Sequence, residues 1–285
     1  MGEETSAGAA STPPELGARH CVPGWLREAF ALLRADRVTL YASLAAAVVL
    51  TVSRYHVSTG EYQRFSSPAI VHHGLFAAPL YAMHLTALGH AVEHATAPVG
   101  DFLYWFLGSL LLFCVVPLLG ARLFRVPLSG FGLGLGDWRY GLKAVAVLYA
   151  VMLPFVVGAS FTGTFSGAYP MCAGATTSGA ALLTYELSYA AYFVGWEFVY
   201  RGLLANGLYP RIGAAAILLP AIAFAVMHAG KPEPEAYGAI VAALALGVVA
   251  VRARSFWYGA LLHASIAITM DVLALAQTHR FPAHF

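Results

Sequence analysis

Long windows without any charged residue alternate along the chain with short charged segments. No Asp, Glu, Lys or Arg occurs between Lys143 and Glu186, and the windows 102–121 and 212–230 are equally free of charge. Because about 20 consecutive apolar residues span the hydrocarbon core of a bilayer, these windows predict membrane-spanning helices. The predicted spans are residues 38–53, 102–121, 141–160, 180–204, 213–228, 236–251 and 256–276. The expected fold is all-α, a polytopic transmembrane bundle of about seven or eight spans.

The stretch 65–94 is also apolar, but two prolines and five histidines interrupt it, so it predicts a re-entrant or hairpin segment. Within it, His90, Glu93 and His94 match the inverted zinc motif H-x-x-E-H. Such a short match arises easily by chance in a chain with 11 histidines. An interfacial or structural histidine cluster is therefore the favoured interpretation, and a metal-dependent membrane enzyme is the alternative. We predict no metal and no other cofactor.

Positive charges indicate how the predicted spans are oriented. Lys and Arg gather before the first span, between the second and third, after the fourth and after the sixth. The positive-inside rule places these segments, and the N-terminus, in the cytoplasm. Residues 1–24 have no basic start followed by an apolar core, so they predict a flexible tail and not a signal peptide. Residues 25–285 are expected to form a single transmembrane domain.

Composition excludes several classes of protein. Of the 285 residues 59% are hydrophobic and 11% charged, with a mean hydropathy of +0.70, whereas ordinary soluble domains carry about 25% charged residues. A soluble enzyme is thus not expected, and the lipid bilayer is a predicted partner. The net charge of +2 argues against a nucleic-acid partner. Three widely spaced cysteines predict neither a disulfide framework nor a thiolate metal site.

Few ionisable side chains occur inside the later spans. Glu197 and Arg201 lie four residues apart in the fourth span, on one helix face where they can pair. His228 ends the fifth span, and His263 lies inside the last. Because ionisable groups at membrane depth are costly, they usually face the bundle interior and mark a functional site. A structural ion pair with two core histidines is one interpretation; a site that holds water against a carbonyl carbon is the other.

The order of these residues resembles that of the CPBP membrane proteins, the bacterial abortive-infection relatives of the eukaryotic CAAX prenyl endopeptidase. The motifs that carry the resemblance are Glu197-x-x-x-Arg201, Phe224-x-x-x-His228 and His263. It covers about residues 128–271, including the glycine-rich segment 132–138. The family implies an all-helical bundle in the bacterial inner membrane and a metal-independent, glutamate-type intramembrane endopeptidase. In that family a Glu and a His activate water, while the other His and an Asn support the oxyanion.

Two positions depart from the family pattern. The usual motif begins with two glutamates, of which the first is the expected base, and here that position is Trp196. The frequent Asn one turn after the last histidine is Ala267. A tryptophan cannot abstract a proton. Either another acid, such as Glu197 itself or one from the turn 231–235, acts as base, or catalysis has been lost.

The resemblance implies an endopeptidase that cleaves a membrane-associated protein or peptide near its C-terminus, with or without a lipid modification. The expected roles are Glu197 as base or as partner of the water-activating histidine, His228 as water activator, His263 as oxyanion support and Arg201 as orienter of Glu197. A non-catalytic immunity or scaffold protein is the alternative. Straight helices would hold His228 apart from Glu197, unless Pro220 kinks the fifth span or the fourth helix extends past Tyr209.

Overall fold

The computed structural model describes residues 36–58 and 97–283, with a few positions between 23 and 31, and this part of the chain is helical without any β-strand. Its helices are α1 Arg37–His56, α2 Gly100–Leu123, α3 Trp138–Ser160, α4 Gly163–Ala168, α5 Gly179–Glu197, α6 Ala215–Met227, α7 Glu233–Ala253 and α8 Trp257–Thr278. Each predicted span coincides with one of them, except that the fourth continues beyond α5. The all-α prediction is confirmed.

Five of these helices, α1, α2, α3, α7 and α8, are long and apolar enough to cross a membrane. Helix α6 is equally apolar but has only 13 residues. The protein is therefore an integral membrane protein. The histidine-rich segment 65–94, with its possible zinc motif, and all but two residues of the predicted tail lie outside the described residues.

Helix α5 is the central element of the bundle and packs against α2 on one side and α8 on the other. Its buried face carries a column of aromatic rings. Tyr189 stacks on Phe106 of α2 with ring centroids 4.7 Å apart, and Phe193 stacks on His263 of α8 at 4.0 Å. This packing fixes the relative position of α5 and α8 along their axes. It therefore also fixes which polar residues of the two helices lie opposite one another.

Helix α5 does not end at Glu197 but changes its winding there. The chain continues as a π-helix, Phe198–Asn206, and then as a short α-helix, Gly207–Ile212. The Asn206 side-chain amide donates to the Arg201 carbonyl at 2.8 Å, which satisfies an acceptor within the widened turns. The fourth helix thus extends past Tyr209, one of the two alternatives that the sequence left open. Wide turns of this kind occur frequently at functional sites.

The glycine-rich segment 132–136 holds the turn between α7 and α8. The Trp257 indole donates to the Leu133 carbonyl at 2.8 Å, and the Tyr258 hydroxyl donates to the Leu135 carbonyl at 2.7 Å. Gly136 has a φ of +53°, and a Cβ there would lie 1.8 Å from the Ala253 oxygen, so only glycine fits. The contacts anchor the start of α8, about one and a half turns before His263.

Helix α1 starts at a capped and ion-paired residue. The Asp36 carboxylate accepts from the backbone N–H groups of Val38 and Thr39 at 3.1 Å each, and the Arg211 guanidinium donates to it at 2.8 Å. Burial alone would raise the pKa of Asp36, but the hydrogen bonds from Thr39 and Arg211 outweigh it and hold the pKa at about 2. This contact joins α1 to the end of the α5 extension.

Candidate active site

The centre of the candidate site is the Glu197 carboxylate, which is fully buried where α5 passes into the π-helix. Arg201, one turn later, donates from Nη1 to Oε1 at 3.2 Å, and its Nε lies 3.1 Å from Oε2. The second contact has an ion-pair distance without good hydrogen-bond geometry. The predicted pairing of the two residues is therefore present. Because a lone buried charge is costly, each stabilises the other.

His263 brings α8 to the same carboxylate. Its Nδ1 lies 2.9 Å from Glu197 Oε1, so Oε1 receives both the arginine and the histidine. The close approach depends on Gly259, one turn earlier on α8. A Cβ at that position would lie 2.5 Å from Glu197 Oε2, which is less than real Cβ contacts allow. Gly259 thus opens the space in which the acid and the histidine meet.

This hydrogen bond sets the protonation pattern of the His263 ring. With Nδ1–H donating to a carboxylate, the lone pair of the neutral imidazole lies on Nε2. The side chain is 20% exposed whereas Glu197 is fully buried, so a reactant can reach the histidine more easily than the acid. Carboxylate and imidazole have the relation found in hydrolytic dyads, where the acid orients the ring and stabilises its protonated form.

His228 closes the site from the C-terminal end of α6. Its Nδ1 lies 2.8 Å from the Phe224 carbonyl oxygen, a bond that leaves Nε2 free of the helix. Its ring lies nearly parallel to that of His263, with centroids 6.4 Å apart and an interplanar angle of 22°. His228 thus lies beside the histidine that contacts Glu197. With 13 residues α6 is only about 20 Å long, so its C-terminal end stays near the depth of His263.

Trp196 occupies an apolar environment next to the site. Its ring lies 6.0 Å from Phe224 and 5.0 Å from Tyr200, measured between centroids, and the residue is buried. Phe224 in turn contacts both histidines and lies 4.3 Å below the Arg201 guanidinium carbon. The indole therefore belongs to the aromatic packing around the site and supplies no base. Ala267, the other departure from the family pattern, is also buried.

The acids of the turn 231–235 are engaged elsewhere or exposed. The Tyr169 hydroxyl donates a short hydrogen bond to Glu235, and Lys231 Nζ lies 3.9 Å from the same carboxylate. Glu235 is within electrostatic reach of His228, while Glu233 is exposed. The acid that contacts a histidine directly is Glu197.

A small cavity lies beside Arg201. It has a volume of about 10 Å³, close to the space that one water needs. Its walls come from the π-helix, α6 and α7, and include Arg201, Phe224 and Ala243. Arg201 Nη2 lies 3.5 Å from the Ala243 carbonyl. In the described ranges no three His, Cys, Asp or Glu side chains are grouped to hold a metal.

The sequence predicted Glu197, Arg201, His228 and His263, but it did not predict the residues that hold them in place. Gly259 and Asn206 were not predicted, because a single glycine or asparagine in an apolar window gives no signal of its own. Glu186 was also missed, although a carboxylate inside a predicted span was a visible signal.

Comparison with known proteins gives one match. Residues 178–269, from the N-cap of α5 to the second turn after His263, match the family described as "Rce1-like: Type II CAAX prenyl endopeptidase Rce1-like". All four predicted site residues lie inside this range. No curated protein and no solved structure matches the chain. The resemblance found in the sequence is confirmed: residues 178–269 are similar to this family of type II CAAX prenyl endopeptidases.

Proposed function

We propose that the protein is an intramembrane endopeptidase whose water-activating group is His263, oriented by Glu197. The observation that carries the proposal is the 2.9 Å contact between His263 Nδ1 and the buried Glu197 carboxylate. This contact leaves Nε2 of the partly exposed His263 ring unprotonated, and general-base catalysis requires such a basic nitrogen. Glu197 itself is fully buried and already engaged by Arg201 and His263, which favours its role as partner over its role as base.

In the proposed reaction His263 Nε2 takes a proton from a water as the oxygen attacks the scissile carbonyl. The imidazolium that forms is stabilised by Glu197, whose position Arg201 holds. The carbonyl oxygen becomes an oxyanion, which the nearby His228 ring is proposed to support. The proton on His263 then passes to the leaving amine. This assignment exchanges the histidine roles that the resemblance implies, because His263 and not His228 contacts the acid.

The proposed substrate is a membrane-associated protein or peptide cleaved near its C-terminus. Two observations support it: the site lies between apolar helices, and the matching family is described as a CAAX prenyl endopeptidase family. A CAAX sequence is a C-terminal motif whose cysteine receives a prenyl group. We further propose a bacterial inner-membrane location with a cytoplasmic N-terminus, on the positive-inside pattern.

A non-catalytic scaffold is the competing proposal, and the replacement of the expected base by Trp196 favours it. In a scaffold the ion pair only joins turns of one helix, so a swapped pair, Glu197→Arg with Arg201→Glu, would retain function. In an endopeptidase the swap removes the carboxylate from His263 and activity is lost. Expression and melting of the swapped protein separate loss of chemistry from loss of fold.

The test uses the purified protein in liposomes and, as substrate, a membrane-protein extract from cells that lack this protein. Mass spectrometry then identifies the new C-termini that cleavage produces. Wild type should generate defined new termini, and His263→Ala should not. His279→Asn is a matched control, because His279 is exposed at the end of α8 with a φ of +53° that Asn tolerates. Equal termini from wild type and His263→Ala would refute the proposal.

A further inference from the structure

A second acidic site lies on α5 and α8, away from the candidate active site. Glu186 precedes Glu197 by 11 residues, and Asp271 follows His263 by eight. At 1.5 Å per residue, the two acids lie about 12–16 Å along the helices from the active-site pair. They are within electrostatic reach of one another. The site therefore takes no part in the chemistry proposed above.

The polar atoms of this site are buried without partners. Asp271 is fully buried, and neither its two oxygens nor those of Glu186 have a hydrogen-bond partner in the described part of the chain. Carboxylates in a low-dielectric interior are normally paired, bound to a cation or protonated. Two carboxylates within electrostatic reach of one another add mutual repulsion to the cost of desolvation. Either protons or a bound cation must therefore neutralise the two acids.

A third polar group points into the same place. Tyr185 is fully buried, and its hydroxyl lies next to Asp271 without forming a hydrogen bond of good geometry to any described residue. Its ring packs on Phe102 and Phe106 of α2, with centroids 5.7 Å away in both cases. The hydroxyl is therefore held in place by packing. Together with the two carboxylates it offers five oxygen atoms.

The one described cation within electrostatic reach of Asp271 is Lys231, and it is engaged by other residues. Lys231 is within electrostatic reach of Asp271, but it is partly exposed and engaged by Tyr169 and Glu235. Its ammonium group also lies 3.4 Å from Met171 Sδ. Lys231 thus belongs to the surface cluster with Tyr169 and Glu235, and no other cation among the described residues is within electrostatic reach of the buried pair.

We propose that Glu186, Asp271 and the Tyr185 hydroxyl form a binding site for a monovalent alkali cation of the sodium class. Carboxylate and hydroxyl oxygens are hard ligands, and hard cations prefer them. Calcium takes six to eight oxygens, and magnesium usually retains several waters in an octahedral shell. Five protein oxygens in an inaccessible site fit neither requirement well. A monovalent ion bound here neutralises part of the charge and ties α5 to α8.

The test measures the melting temperature of the detergent-purified protein, first in choline chloride and then with sodium chloride replacing the choline salt at constant ionic strength. Sodium should raise the melting temperature until the site is saturated. The rise should be about 5–10 °C when the sodium concentration is 100 times its dissociation constant. Asp271→Asn and Glu186→Gln should abolish the shift, and Tyr185→Phe should reduce it while keeping the ring. Glu233→Gln, which changes an exposed acid of α7, should leave it unchanged.

Direct binding keeps the test decisive if an acid variant fails to fold. Wild type should bind about one radioactive ²²Na⁺ per chain, and Tyr185→Phe should bind it more weakly. The proposal is overturned if sodium neither binds nor shifts melting, or if magnesium or calcium stabilises where sodium does not. The melting temperature could instead rise only on acidification. That result would show that Glu186 and Asp271 share a proton, and it would also refute the metal site.

Discussion

Helices α5 and α8 meet at two acidic sites that differ in how their charge is balanced. At the first, Glu197 contacts a guanidinium and an imidazole, with three nitrogens between 2.9 and 3.2 Å from its oxygens. At the second, Glu186 and Asp271 have no hydrogen-bond partner within the described ranges. The same pair of helices thus carries one satisfied carboxylate and one unsatisfied pair. A satisfied acid can orient a catalytic group, whereas an unsatisfied pair must be neutralised by a bound cation or by protons.

The largest effect on stability is expected from removing the arginine of the first site. Arg201→Met leaves the Glu197 charge buried with only His263 beside it, and breaking a buried ion pair costs about 3–5 kcal/mol. The measurement is the free energy of unfolding in detergent. The matched control is Arg252→Met, which removes an exposed arginine of α7. A loss below 1 kcal/mol would show that the first site does not depend on its ion pair.

An acid-to-amide change should have opposite signs at the two sites. Glu197→Gln leaves the Arg201 charge unpaired and is expected to destabilise the protein. Without sodium, Asp271→Asn removes one of two repelling buried charges and is expected to stabilise it, by about 1–3 kcal/mol. Melting of both variants in choline chloride checks the contrast. If both destabilise equally, the proposed difference in charge balance is wrong.

Gly259→Ala tests the close approach that makes the first site. The added Cβ would lie 2.5 Å from Glu197 Oε2, so α8 or the carboxylate must shift. We expect a stability loss of about 1–3 kcal/mol and a larger loss of proteolysis, because the contact to His263 lengthens. Gly238→Ala is a control, since nothing lies within 4 Å of a Cβ there. Unchanged proteolysis in Gly259→Ala would show that this contact is not needed.

The smallest effect is expected at Asp36, where the ion pair with Arg211 lies at the end of a helix. Asp36→Ala removes the N-cap of α1 and should cost about 1 kcal/mol. Because the folded pKa of about 2 lies below the ordinary value, the contribution is present above pH 4 and is lost as the pH falls towards 2. Unfolding of wild type and variant at pH 7 and pH 3 checks it. A difference that grows on acidification would contradict this account.

The sequence predicted the bundle well because charge-free windows report bilayer spans directly. It also predicted the set Glu197, Arg201, His228 and His263, since ionisable residues are rare in such windows. It could not predict which histidine meets the acid. That depends on the winding of the chain after Glu197 and on Gly259, and neither produces a pattern in an apolar sequence. The acid pair Glu186 and Asp271 was readable as intramembrane charge, but its proximity required the packing of α5 on α8.

The measurement that tests the central claim most directly is the initial rate of C-terminal cleavage in liposomes by wild type, His263→Ala and the exposed-histidine control His279→Asn. A general base contributes about 10²–10⁴-fold, so His263→Ala should lose at least 100-fold. The control should remain within twofold of wild type. Retention of the wild-type rate by a folded His263→Ala protein would contradict the role of the Glu197–His263 pair.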